Sequence, residues 1–334
     1  VAADGTFVES VPRLHRSIEK TLTMYAWGDE RRYNSYSGYF RRIFGSRVQK
    51  LSVNAGFTCP NRDGAVGHNG CTFCRNDAFT PSYCSSEKSI RQQLLEGIEF
   101  HRNRYRSAEH YLAYFQSFSN TYSSLDRLKR LYAEVFEVPD VVGIIVGTRP
   151  DCVDEEKLDF FAELSQRHYV SIEYGIESCY DSTLRAINRG HDFAAAVRAV
   201  EMTAARGLSV GAHFILGLPG ETQQMLVDQM ALINAMPLTT LKFHQLQIFR
   251  GTSMAVQYAE HPEQFHFWSM EAYIDFVIDL LERMRPDVVL ERFASEAPPR
   301  FQAGPTWGLV RNEQLWSRFE RRLAERDTYQ GKFY

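Results

Sequence analysis

The sequence predicts an α/β fold, a partial (β/α)6 TIM-like barrel of parallel strands with N- and C-terminal extensions, and three observations carry that expectation. Runs rich in β-branched and aromatic residues alternate regularly with stretches of helical periodicity. The runs stay largely apolar along their length, as strands covered on both faces do. Polar residues gather at the C-terminal end of each run, the end at which a barrel of this kind builds its site.

Each element follows in order. KLSVNAG, Lys50 to Gly56, reads as the first strand, and a loop rich in turn formers follows it. SEKSIRQQLLEGIEFHRNRYR is helical, YLAYFQS (Tyr111 to Ser117) is the second strand, and SSLDRLKRLYAEVFE is the next helix. VVGIIVGTR (Val141 to Arg149) is a buried strand, DEEKLDFFAELSQR a helix opened by Asp154, and YVSIEYGIE (Tyr169 to Glu177) a strand. DFAAAVRAVEMTAARG is a helix with Asp192 as N-cap and Gly207 as stop. SVGAHFILGLPGE then leads to a helix from about Thr222, and LKFHQLQIF (Leu241 to Phe249) ends the sixth unit. The strand ends carry Cys59, Gln116 with Asn120, Arg149 with Asp151, Glu177, His213 and Gln247.

With 334 residues, 44% of them hydrophobic, the chain can bury one large core with decorations. The reading divides it into a basic and aromatic N-terminal extension over 1–49, a barrel core over 50–250, and a helical extension over 251–334 that closes one side of the barrel. A net charge of −3 makes no global case for nucleic acid, so any such surface must be a local patch. Arg31, Arg32, Arg41 and Arg42 stand among tyrosines and phenylalanines, the mixture that suits RNA phosphates and exposed bases. HRNRYR and SRFERRLAER are further basic stretches, and Glu296, Arg300 and Trp307 lie in a late loop open to either substrate contact or packing. VAADGTFVESVPRLHRSIEK places charges where a leader needs an apolar run, and no eighteen apolar residues follow one another; the expectation is a soluble, cytoplasmic protein without a membrane segment.

Cys59, Cys71 and Cys74, half of the six cysteines, form C-x11-C-x2-C in a chain otherwise poor in thiols. Three soft ligands on one turn-rich loop suit zinc or an iron–sulfur cluster, and Cys84 or His68 could close a structural zinc site. The loop alone leaves both metals open. Its convergence with the polar strand ends on one barrel mouth favours an open, catalytic metal site.

AGFTCPNRDG, GCTFC, YFQSFSNTY, GTRPDC, YGIES, INRGH, FILGLPGET and RRLAERDTYQGKFY together resemble the radical S-adenosylmethionine (SAM) enzymes. The resemblance is to the YhcC-type bacterial branch, related to the Elongator catalytic subunit and to oxygen-independent coproporphyrinogen oxidase, and it runs from about Tyr25 to Tyr334. The cysteine spacing departs from C-x3-C-x2-C, the commonest one among such enzymes. The resemblance implies that Cys59, Cys71 and Cys74 bind three irons of a [4Fe–4S] cluster and that SAM chelates the fourth. An electron from the cluster would then cleave SAM to a 5′-deoxyadenosyl radical. It further implies Phe73 near the adenine, Glu177 and Arg189 on the methionine or ribose part, and Gln116, Asn120 and Thr121 near the amino group. His213 stands where a relative uses a carboxylate, and Gly217, Pro219 and Gly220 form a turn whose backbone could meet the adenine. A reductant such as flavodoxin or ferredoxin is implied as partner. Analogy with the Elongator branch, together with the basic aromatic N-terminus, points to RNA, specifically a wobble uridine of tRNA, as substrate. A small-molecule or tetrapyrrole substrate is the rival within enzymes, and a zinc-stabilised RNA-binding module is the rival outside them. Cys84, Cys152 and Cys179 lack the close spacing of a second cluster.

Overall fold

Each apolar run becomes a strand in the computed structural model, which describes residues 24–104, 108–295 and 297–334. β1 (Val48–Val53), β2 (His110–Phe115), β3 (Val141–Thr148), β4 (Tyr169–Glu177), β5 (Ser209–Leu216) and β6 (Thr240–Gln245) pair in parallel in chain order. The helices between them are α2 (Ile90–Arg104), α3 (Leu125–Ala133), α4 (Glu155–Ser165), α5 (Asp181–Ala186), α6 (Phe193–Ala204) and α7 (Gln223–Ala235), with α1 (Tyr36–Phe44) ahead of β1. Asp154, Asp192 and Thr222 cap α4, α6 and α7 by accepting from the backbone N–H of Lys157, Ala195 and Met225. Gly207 follows α6 at φ +73°, a turn that a residue with a side chain rarely adopts.

A seventh strand, β7 (Val289–Arg292), pairs with β6 beyond the six expected. It escapes the sequence reading because it offers only Val289 and Leu290 to the core before two charged residues. Three more helices, α8 (Ser253–Glu260), α9 (Met270–Leu281) and α10 (Asn312–Glu325), belong to this last third of the chain. Leu315, Phe319 and Leu323 of α10 are buried, and Arg322 and Arg326 tie it to Asp275 and Asp279 of α9 at 2.7 and 2.6 Å.

Alternate residues of each strand divide between two environments. Val170, Ile172, Tyr174 and Ile176 of β4 face the helical layer and are 0–3% exposed, whereas Ser171, Glu173, Gly175 and Glu177 face the opposite side, the barrel interior. The sheet curls so far that Lys50 of β1 lies 2.6 Å from Glu291 of β7. Helix α1 covers the N-terminal end of this half-barrel: Phe40 packs edge-on to Tyr169, where β4 starts, and Phe44 packs against His110, where β2 starts. The arginines expected to face RNA are therefore at the end away from the mouth. Arg32 pairs with Asp327 at 3.0 Å and so ties this segment to the C-terminal one, whereas Arg31 bonds Ser35 and Ser37, and Arg42 bonds Asn34 at 2.8 Å, within the segment itself. HRNRYR reaches into residues outside those described, as do Glu296 and VAADGTFVESVPRLHRSIEK. No described helix is long and apolar enough to cross a membrane.

Candidate active site

The loop after β1 is held against the segment after β4. Asn61 Nδ2 donates to the Asn188 carbonyl at 2.5 Å, Asn188 Nδ2 donates to the Gly70 carbonyl at 2.8 Å, and the Thr72 N–H donates to the Ile187 carbonyl at 3.0 Å. The Cys74 N–H reaches the Cys71 carbonyl at 3.0 Å, closing the tight turn that the two-residue gap predicts. Cys59, Cys71 and Cys74 consequently line one cavity of about 220 Å³ at the C-terminal mouth. Among the described residues no three His, Cys, Asp or Glu side chains crowd around one point closely enough to enclose a single ion. The three thiols border one shared space.

Arg189 joins this wall. Its Nη1 is 3.4 Å from Cys71 Sγ, its Nη2 donates to the Gly175 carbonyl, and Glu177 Oε1 stands 3.8 Å away. Burial by itself lowers the pKa of Arg189, but the charges of Cys71 and Glu177 more than offset this and hold the guanidinium charged. Its Nε is buried with no hydrogen-bond partner. A Cβ at Gly175 would lie 2.6 Å from Glu177 Oε1 and 2.8 Å from Arg189 Nη2, so glycine is required for the two to meet. Glu177 sits at φ +76° beside an irregularity in the β4–β5 register, and such bulges re-aim a side chain at a strand end. Arg149 braces the arrangement by donating to the Arg189 carbonyl at 2.7 Å while Asp151 grips it with two 2.8 Å bonds. Burial pushes the Cys74 thiol pKa up, the Cys71 charge adds to this, and Arg62 and Arg189 oppose it; a metal must displace that proton.

The other expected residues divide. Phe73, Gln116 and His213 line the cavity with Glu177 and Arg189, and Phe73 also packs on the apolar cluster of Leu184, Ile187 and Leu246. Asn120 lies outside the lining: its Nδ2 is taken by the carbonyls of Phe115, Ser117 and Gly147 at 3.0, 3.2 and 2.8 Å, which makes it a staple of the loop after β2. Thr121 bonds Thr148 and the Cys152 carbonyl beneath that loop. The turn of Gly217, Pro219 and Gly220 also lies outside the lining, anchored where Ser178 donates to Glu221, whose carboxyl pKa burial raises to about 7. His68 is exposed. Cys84 donates to the Ser52 carbonyl at 2.9 Å with its pKa pushed up to about 12 by burial, and Cys152 and Cys179 are buried thiols likewise shifted up. None of these three borders the cavity.

Sequence reasoning missed the floor. Glu173 Oε2 accepts from Lys242 at 2.6 Å and its Oε1 from Lys50 at 3.1 Å; Glu291 accepts from the same two lysines at 2.8 and 2.6 Å. Two lysines and two glutamates thus close a charge-neutral ring inside the barrel, with both ammonium groups over the Tyr114 ring at 4.6 and 4.7 Å. His213 hangs its Nε2 on Glu173 at 3.0 Å and borders the cavity above. The available signal was a charged residue inside an otherwise apolar run, as in YVSIEYGIE and LKFHQLQIF. A second cavity of about 480 Å³ adjoins the first through Gln245, Gln247 and Ser295; Trp268 and Trp307 line it, and Trp307 Nε1 donates to the Trp268 carbonyl at 3.0 Å.

Comparison with known proteins places this geometry. Residues 62–233 match the model of the radical SAM superfamily, and residues 238–324 match that of the radical SAM C-terminal domain. The chain is 33% identical to YtqA of Bacillus subtilis over 91% of its own length and 94% of that protein. It is 34% identical to YhcC of Escherichia coli K12 over 82% of its length and 87% of that protein. A shorter match, 29% identical over 84 residues, joins 25% of the chain to 15% of the tRNA uridine(34) acetyltransferase of Methanocaldococcus infernus. The structure of Elp3 from Methanocaldococcus infernus shares the fold, with a TM-score of 0.62 at 15% identity over 85% of this chain and 64% of that one. With its half-barrel, its cysteine loop at the mouth and these relatives, the chain belongs to the radical SAM superfamily, as an enzyme of the group that contains YtqA and YhcC.

Proposed function

We propose that Cys59, Cys71 and Cys74 hold a [4Fe–4S] cluster, that Arg189, Glu177, Gln116 and Phe73 hold SAM beside it, and that the reaction modifies RNA at a wobble uridine of tRNA. The observation that carries the reading is the meeting of three thiols, an acidic side chain and a buried guanidinium on one cavity at the barrel mouth. The donor set fits the groups: soft thiolates suit iron–sulfur binding, and the orphaned Arg189 Nε can donate to an oxygen acceptor. When bound, the cluster and SAM supply reductive cleavage of a sulfonium C–S bond and a carbon radical that takes hydrogen from the substrate.

The protein's own residues bind, orient and shield. Glu177 is an acceptor suited to the amino or hydroxyl groups of SAM, and Phe73 presents a ring for packing near the adenine. Because Glu173 engages Nε2 of His213, the other ring nitrogen is the atom through which His213 can exchange a proton with substrate. The likeness to a tRNA uridine(34) acetyltransferase supports RNA over a small molecule. Mass spectrometry of tRNA nucleosides from cells with and without the gene tests the substrate. We expect one modified uridine to be lost, with its precursor accumulating and returning to the product when anaerobic enzyme, SAM and reductant are added; identical nucleoside profiles would refute the tRNA reading.

A further inference from the structure

Arg75 follows the last cysteine of the loop, and its guanidinium stands 4.9 Å from the Phe301 ring, while that of Arg300 stands 4.8 Å from the same ring. Arg75 also donates to the Arg250 carbonyl, and the Arg250 N–H donates to the Phe301 carbonyl at 2.7 Å. Phe79 meets Phe249 edge-on at 5.4 Å beside them. Three separate loops, those after β1, β6 and β7, thus assemble one group of guanidinium and aromatic side chains. Arg62, Arg75, Phe79 and Phe249 border the cavity itself, so the group forms its rim. Arg75 pairs with Asp77, whereas the exposed Arg250 and Arg300 make no ion pair among the described residues.

We infer that this rim is the surface that grips the RNA segment entering the mouth, Arg250 and Arg300 holding phosphates and the ring system around Phe301 receiving a base face. The inference rests on the RNA reading above and assigns it a place. Charge complementarity favours the occupant: two exposed guanidiniums that make no ion pair among the described residues, Arg250 and Arg300, stand beside the entrance of a protein whose net charge is −3, and interleaved aromatic rings suit splayed bases. The arginines around α1 stand at the opposite end of the barrel, away from this rim.

The test is the salt dependence of binding of a tRNA transcript by anaerobically purified holoenzyme, with melting curves to verify folding. Each phosphate left without its arginine lowers the slope of log affinity against log salt by about 0.7–0.9, so Arg250→Gln with Arg300→Gln should reduce it by about 1.4–1.8. A charge-matched control, Arg41→Gln with Arg91→Gln, removes two exposed arginines from α1 and α2 and should leave the slope unchanged. An unchanged slope in the rim variant, or an equal fall in the control, would overturn the placement while wild-type binding keeps the RNA reading. Absence of wild-type binding would overturn both. Slower cluster reduction by flavodoxin with an unchanged RNA slope would assign the rim to an acidic redox protein instead and overturn the inference.

Discussion

Replacing Glu173 by glutamine should destabilise the protein far more than a surface substitution. The side chain is 2% exposed and accepts from Lys242, Lys50 and His213 at 2.6, 3.1 and 3.0 Å. The amide is nearly isosteric, so no cavity opens and the perturbation is electrostatic. Two buried ammonium groups would then face Glu291 alone, leaving one positive charge uncompensated inside the barrel. Removing one partner of a buried pair costs about 3–5 kcal/mol. At about 2 °C per kcal/mol for a chain of this size, the melting midpoint should fall by about 6–10 °C. Differential scanning calorimetry on wild type, Glu173→Gln and the double variant Glu173→Gln with Lys242→Met reads this out. The double variant restores neutrality, leaving Lys50 with Glu291, and should melt higher than Glu173→Gln. A fall below about 2 °C, or a double variant less stable than the single one, would refute the claim that charge balance governs this site.

Alanine at Cys59, Cys71 or Cys74 should each abolish iron retention in anaerobically reconstituted protein, whereas Cys84→Ala should keep it, since Cys84 bonds Ser52 away from the cavity; iron analysis with visible absorbance decides, and loss of iron in Cys84→Ala would contradict the site. Glu221 has its carboxyl pKa raised to about 7 from 4.5 by burial, so the folded state holds a proton that the unfolded state releases and stability should fall as pH rises from about 4.5 to 7, by on the order of 3 kcal/mol. Glu221→Gln cannot lose that proton, so its stability should decline less across the same range, and parallel pH profiles of the two proteins in urea unfolding would contradict the shift.

The sequence alone determined the strand–helix alternation and the cysteine loop. Both are local: a buried parallel strand is an apolar run, a helix shows its periodicity and cap, and C-x2-C is a turn. It also put Glu177 at the mouth, because parallel βα units send every strand end the same way, whereas Arg189, which follows α5, was expected there only from the family resemblance. Neighbours across the barrel were beyond its reach. The alternation of side chains tells that Glu173 and Lys242 leave the apolar face of their strands, but not what they meet. Only the curl of seven strands brings Lys50 to Glu291, 241 positions away, and turns four apparently misplaced charges into a neutral ring. The same holds for Arg75, Arg250 and Arg300, which share Phe301 across three loops, and for Asn120 in the loop after β2, whose side-chain amide N–H is spent on backbone carbonyls. It holds as well for the N-terminal arginines, whose helix covers the end of the barrel away from the mouth. Periodicity and spacing constrain what a residue does within its own element, whereas its electrostatic partners are chosen by closure of the sheet, a long-range contact that no local pattern encodes.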